Sequence, residues 1–129
     1  MGTATPGGAK TNLGLEPNIA GLLCYVPCCI GLVFSVVAAI VEKQSRFVRF
    51  HAFQSLLVHA VAIVLGLGLN VAQVALAVVG VPFVGLLLSL VGLLVGVAFL
   101  GLTIFLMIKA NSGEEFELPV AGPMARQWV

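Results

Sequence analysis

The sequence predicts an all-α integral membrane protein: a three-helix transmembrane bundle with a short cytoplasmic loop and a cytoplasmic tail. Three observations predict it. Of 129 residues, 60% are hydrophobic and only 9% are charged, with a mean hydropathy of +1.18; a soluble chain this small needs far more charge on its surface. Residues 17–41 and 50–108, together 84 of the 129, contain no Asp, Glu, Lys or Arg. The longer run would extend about 88 Å as one helix, nearly three bilayer cores of ~30 Å, so it must fold back.

Taken in order, residues 1–16 are rich in Gly, Thr, Ala and Pro and predict a flexible N-terminal tail. Pro17-Asn18 opens a transmembrane domain over 17–110. Its first span covers about 18–41, kinked at Pro27. Glu42 to Phe50 form a polar connection. Gly80-Val81-Pro82 is the clearest breaker in the long run and divides it into spans at about 51–79 and 83–109. A second break at Gly66-Leu67-Gly68 would leave a first piece of 16 residues, too short to cross. Asn111-Ser112-Gly113 ends the third helix, and 111–129 form a tail: extended over 114–120, turned by Gly122-Pro123, and carrying the only Trp.

The first apolar run is too long for a cleavable signal peptide, and Pro6 stands where myristoylation wants Ser or Thr, so the helices are expected to be the only anchors. The 42–49 loop and the C-terminal tail carry five Lys and Arg residues, the N-terminal tail one and the 80–82 turn none. That asymmetry predicts a cytoplasmic loop and C-terminus with the N-terminus outside.

At about 100° per residue, His51, Ser55, His59, Ala62, Gly66, Asn70, Gln73 and Ala77 fall within a sector of about 100° on span two. Gly85, Ser89, Gly92, Gly96 and Thr103 share a sector of about 80° on span three. Polar groups in hydrocarbon face protein or a wet cavity, and small residues let helices approach closely. The expected polar face is therefore Ser55, His59, Asn70 and Gln73, and the expected close-packing face is Gly85, Ser89, Gly92 and Gly96. Packing explains all of them; a polar path through an oligomer is the sharper alternative.

Several function classes are poorly supplied. A net charge of +1 gives no basic stripe for nucleic acid. Cys24, Cys28 and Cys29 are odd in number and spaced unlike a zinc or redox site. His51 and His59 are about 12 Å apart along one helix, too far to share an ion. The chain contains no Asp, and its five Glu residues all lie outside the spans. No cofactor, metal or catalytic residue is expected.

The least generic stretch is Ser45-Arg46-Phe47-Val48-Arg49-Phe50-His51-Ala52-Phe53-Gln54-Ser55. Arg46 and Arg49 share a helix side, with Phe47, Phe50 and Phe53 at the same spacing, an amphipathic segment suited to lipid phosphate or a docking partner. Residues 47–55 resemble the "FVRFHAxQS" signature of a family of small prokaryotic membrane proteins of unknown function, related to the Tic20-like component of chloroplast import. Leu23-Cys24-Tyr25-Val26-Pro27 upstream and the Gly113 to Gly122 segment, with its Leu118-Pro119, extend the resemblance over about 18–127. It implies a prokaryotic cytoplasmic membrane. It also implies that Arg46, Arg49, His51 and Gln54 carry any family function, by docking or helix positioning.

The expected function is a non-enzymatic multi-span membrane protein, a subunit or assembly factor of a larger complex. Its expected partners are lipids and other subunits or copies of itself. The alternative is a Tic20-like transport or translocation component with a polar path along the second helix.

Overall fold

The computed structural model describes residues 11–129, and every regular element among them is helical. Five helices follow in order: α1 (Pro17–Leu23), α2 (Cys29–Val41), α3 (Arg46–Val79), α4 (Pro82–Asn111) and α5 (Ala121–Gln127). The long helices α3 and α4 form an antiparallel hairpin, about 51 and 45 Å long at 1.5 Å per residue. The three short helices pack around its open end, which we call the base.

The hairpin follows the sequence closely. Ser45 caps α3, its hydroxyl accepting from the Val48 N–H. The helix then runs without interruption through Gly66 and Gly68 to Gly80, whose φ of 83° closes it in the left-handed conformation. Pro82 starts α4 in the first turn, where its missing N–H is not needed.

The expected first span, 18–41, is not one helix. Residues 24–28 leave the helical conformation, with Cys28 at a φ of 70°, and the chain folds back on itself. Asn18 at the base donates to the Asn111 carbonyl, and Gly21 lies against Phe47 and Ala110. Pro27 and Cys28 reach the level of His59 and Gly96. Ser35 then meets Ser55, and Glu42 returns to Ser45. α1 therefore climbs along α3 and α2 descends it. At 13 residues, about 20 Å, α2 does not cross a ~30 Å core. Among the described residues two helices are long and apolar enough to cross, where the sequence predicted three spans.

This fold-back also corrects the expected sidedness. The Asn12 side-chain oxygen accepts from the Lys43 and Gln44 N–H groups at 2.9 and 3.2 Å. The N-terminal segment and the 42–49 loop thus share one end of the molecule instead of facing opposite sides of a membrane. Of the expected tail 1–16, residues 1–10 lie outside the described residues. Residues 11–16 form a turn, pinned by Thr11 Oγ donating to the Leu15 carbonyl and by Asn12. At the other end, 114–118 are extended as expected, but Gly122-Pro123 lie in the first turn of α5 and do not reverse the chain.

The buried core sits at the base: Ala20, Cys24, Tyr25, Ala38, Phe47, Val48, Ala52, Leu106 and Ala110. Toward the 80–82 turn, α3 and α4 present Val64, Leu67, Val71, Val78, Leu90, Leu94 and Val97 outward. An apolar surface this large belongs against lipid or another protein.

Candidate functional site

The signature stretch begins α3, and its side chains converge on one buried junction at the base. Spacing explains which do so: His51, Gln54, Ser55 and Val58 fall on the inner face at intervals of three and four. Tyr25, from the break between α1 and α2, places its hydroxyl 3.0 Å from His51 Nδ1 and 3.0 Å from Gln54 Nε2. Because Gln54 can only donate there, the Tyr25 proton goes to Nδ1, and the neutral ring carries its own proton on Nε2. Phe47, Phe50 and Tyr25 surround the imidazole edge-on, with centroids 4.5, 5.3 and 5.5 Å away. His51 Nε2 has no hydrogen-bond partner among the described residues.

Gln54 joins this group to the C-terminal segment. Its amide donates to the Phe116 carbonyl at 2.9 Å, and its oxygen accepts from the Leu118 N–H at 3.0 Å. Next in sequence, one turn above His51, the Ser55 hydroxyl donates to the Cys24 carbonyl. Ser35 Oγ lies 3.0 Å from that carbonyl and 3.0 Å from Ser55 Oγ. The central motif and both flanking motifs thus meet in space: 23–27 through Tyr25 and Cys24, and the closing segment through Phe116 and Leu118. Each is a connection that ties an otherwise separate piece of chain to α3.

A second lock lies at the loop. The Glu42 carboxylate is fully buried and accepts from the N–H groups of Asn12, Gln44 and Ser45, each at 2.9 Å. Three charge-assisted bonds compensate its loss of water. Outside it, Arg126 of α5 holds Glu115 at 2.8 Å and also pairs with Glu117. The bond to Glu117, and then that to Glu115, keeps the guanidinium pKa above its ordinary value. Arg126 also stacks over Phe50, 4.6 Å from the ring centroid.

The expected docking set divides. Arg46 is exposed and Arg49 half-buried, its guanidinium donating to the Trp128 carbonyl at 3.0 Å. His51 and Gln54 have no exposed surface, so they hold the fold from inside and do not form a docking face. The expected polar face divides too. Ser55 is buried, His59 is half-buried with Nδ1 donating to the Ser55 carbonyl, Gln73 is half-buried, and Asn70 is exposed, donating to Gly66 of its own helix. The cause is the short climb of α1: the break at Pro27 and Cys28 reaches only the level of His59 and Ala62.

The close-packing set meets little. A side chain at Gly85 or Gly96 would touch nothing within 4 Å, one at Gly92 would meet Leu69 at 3.6 Å, and Ser89 is exposed. Sequence reasoning missed the roles of Glu42 and Tyr25. Tyr25 carried a usable signal: a lone Tyr inside an apolar run needs a partner for its hydroxyl. For Glu42 no local pattern announced that Asn12 would supply its third N–H.

Fold and junction together define a small helical membrane protein whose most distinctive residues lie in one buried tie-point. The chain belongs to the family described as the magnetosome magnetite crystal formation protein family, whose pattern matches residues 14–125. It is similar to a UPF0132 membrane protein of Methanocaldococcus jannaschii, 41% identical over 119 residues, covering 92% of this chain and 94% of that one. A second from the same organism is 36% identical over 117 residues, 90% and 72% of the two chains. One from Archaeoglobus fulgidus is 34% identical over 116 residues, 89% and 97%. No solved structure matches the chain. The sequence resemblance to a prokaryotic membrane-protein family of unknown function agrees with these relatives.

Proposed function

We propose that the protein is a non-enzymatic, multi-pass subunit or assembly factor of a larger complex in a prokaryotic cytoplasmic membrane. In this reading α3 and α4 cross the bilayer, while α1 and α2 form a re-entrant hairpin. The base carries Lys43, Arg46, Arg49, Lys109 and Arg126, and the 80–82 turn carries no charge, which supports a cytoplasmic base.

One observation carries the proposal. The outer half of the α3–α4 hairpin has no buried residue in its most apolar stretches, yet Asn70 and Ser89 stand exposed on it. Each satisfies its donor only by bonding back to its own helix, at 2.7 Å to Gly66 and 3.0 Å to Gly85. Polar side chains at membrane depth face protein, so this half is built to be covered by other subunits. The family description concerns magnetite crystal formation; what we carry over as a proposal is a scaffold role in a membrane assembly.

Mild-detergent extraction from native membranes, followed by native mass measurement and identification of bound proteins, tests this. A stoichiometric complex with other proteins is expected. A defined homo-oligomer with no other protein would replace the proposal with the Tic20-like transport reading, with Asn70 and Gln73 along its path. A monomer would refute both.

A further inference from the structure

Beside α5 the base is not closed. A cavity of about 410 Å³ opens between α3, α4 and the C-terminal segment, lined by Leu57, Val61, Phe99, Leu102, Pro119 and Met124 among others, almost wholly apolar. It is continuous with the exposed apolar surface of the hairpin, since Val61 is itself exposed. Two turns below Leu57 on the same helix, about 12 Å along the axis, stands Arg49. Arg46 lies one turn further down. Between the arginines and the cavity sit Phe53 and Trp128, stacked edge-to-face at 5.7 Å, with Trp128 47% exposed. The order along α3 is thus cation, aromatic, apolar slot.

Of the five described Lys and Arg residues, Lys43, Arg46 and Arg49 hold no carboxylate. Lys109 and Arg126 each hold a carboxylate, whereas neither Arg46 nor Arg49 forms an ion pair among the described residues. Arg49 Nε is buried and without a hydrogen-bond partner. The buried Nε is out of reach of an outside ligand, but two neighbouring guanidiniums that hold no carboxylate favour an anion with several acceptor oxygens, and phosphate is the planar fork's common partner. Aromatic rings at this height match the headgroup boundary of a bilayer.

We propose that this face binds one anionic phospholipid. The phosphate sits on Arg46 and Arg49, the glycerol region lies against Phe53 and Trp128, and one acyl chain occupies the slot. The site does not depend on the subunit reading, because the lipid comes from the bilayer and not from a partner protein.

Trp128 is the only Trp in the chain and so reports the site directly. The protein is reconstituted in phosphatidylcholine vesicles in which a minor fraction of the lipid carries bromines on its acyl chains, as phosphatidylglycerol or as phosphatidylcholine. The anionic quencher should be enriched at Trp128 about fivefold or more over the neutral one, the weight of an interfacial arginine. Arg46→Gln with Arg49→Gln should abolish that preference. Ala60→Phe, which fills the slot from an exposed position of α3, should reduce quenching by both lipids and leave helicity unchanged. Equal quenching by the two lipids, or a preference that survives loss of both arginines, overturns the proposal. Quenching by both lipids that survives Ala60→Phe at full strength overturns the acyl slot. Quenching that appears only when the protein is diluted in the membrane assigns the slot to a second copy of the chain and also overturns it.

Discussion

Gln54→Met is the most informative single change, because it keeps the length of the side chain and removes only its polar end. Gln54 is fully buried and makes three hydrogen bonds, to Tyr25 Oη, the Phe116 carbonyl and the Leu118 N–H. Tyr25 keeps His51 as a partner, so its loss is small. The two backbone groups lose their partner in a half-buried extended segment, which costs about 1–2 kcal/mol each, for a total of about 3 kcal/mol. The loss should fall on the C-terminal segment first, since α3 keeps its own ladder. Denaturant titration in detergent, followed by Trp128 emission and by far-ultraviolet circular dichroism, separates the two. In the variant, Trp128 should leave Phe53 and shift to the red at denaturant concentrations where helicity is unchanged. In the parent chain the two signals should move together. Gln73→Met, which breaks no hydrogen bond among the described residues, is the control and should stay within about 0.5 kcal/mol. If Gln54→Met also stays within that range with unaltered emission, the junction does not hold the tail and the reasoning fails.

Other consequences follow from the same contacts. Glu42→Ala frees three N–H groups and should destabilise the base by about 2–4 kcal/mol, with hydrogen exchange accelerated at Asn12, Gln44 and Ser45. Gly31→Ala drives a methyl group into the Val26 carbonyl oxygen and should lower the melting temperature. Gly85→Ala meets open space and should be neutral or slightly stabilising by thermal melting. With the three native cysteines replaced, Asn12→Cys and Gln44→Cys should both label with an impermeant thiol reagent from the side opposite to Val81→Cys. Labelling of residues 12 and 44 from different sides would restore the three-span topology. Gly92→Leu should fold, because its nearest facing atom is the flexible end of Leu69 at 3.6 Å, and a circular dichroism spectrum checks it.

The hairpin was legible in the sequence because its signals are local. Fifty-nine uncharged residues need a turn, and Gly80 before Pro82 is the strongest one available. Ser45 as a cap and Asn111-Ser112-Gly113 as a stop are local in the same way. The broken first span was not legible. Pro27 in a 25-residue apolar run is compatible with a kinked crossing helix or with a complete fold-back. What decides is the pair of hydroxyls on Ser35 and Ser55, 11 and 31 residues downstream of Cys24. The site shows the same division. Periodicity placed His51 and Ser55 on an inward face correctly. It placed Asn70 there as well, because a helical wheel registers angle and not height, and the α1–α2 break beside α3 reaches only to about His59 and Ala62. Gln54 lies beside that sector, so the wheel gave it no inward role; the extended segment that covers it comes from residues 116–118.

The two hydroxyls also explain why a broken helix survives at this depth. The α2 residues Ile30, Val33 and Ile40 are exposed and as apolar as the long helices, and in the proposed re-entrant arrangement the fold-back would lie against lipid on its outer side. Carbonyls released by a break cannot find water there, and each unsatisfied group costs several kcal/mol. At Cys24 the released carbonyl points inward and meets both Ser35 and Ser55. Gly31 lets α2 pass close enough to the break for Ser35 to reach it. Tyr25, next in sequence, turns its hydroxyl the same way, onto His51 and Gln54. The break and the α3 signature are therefore one device: the residues that make the α3 motif distinctive are those that receive the polar groups exposed by the break. A sequence that lost Ser55 or Gln54 while keeping Pro27 would leave those groups unpaired. The unbroken alternative, a continuous helix over 18–41, would become relatively more favourable. The signature thus favours the folded-back form over a continuous helix, and with it the shared location of residues 11–16, the 42–45 loop and the C-terminal tail.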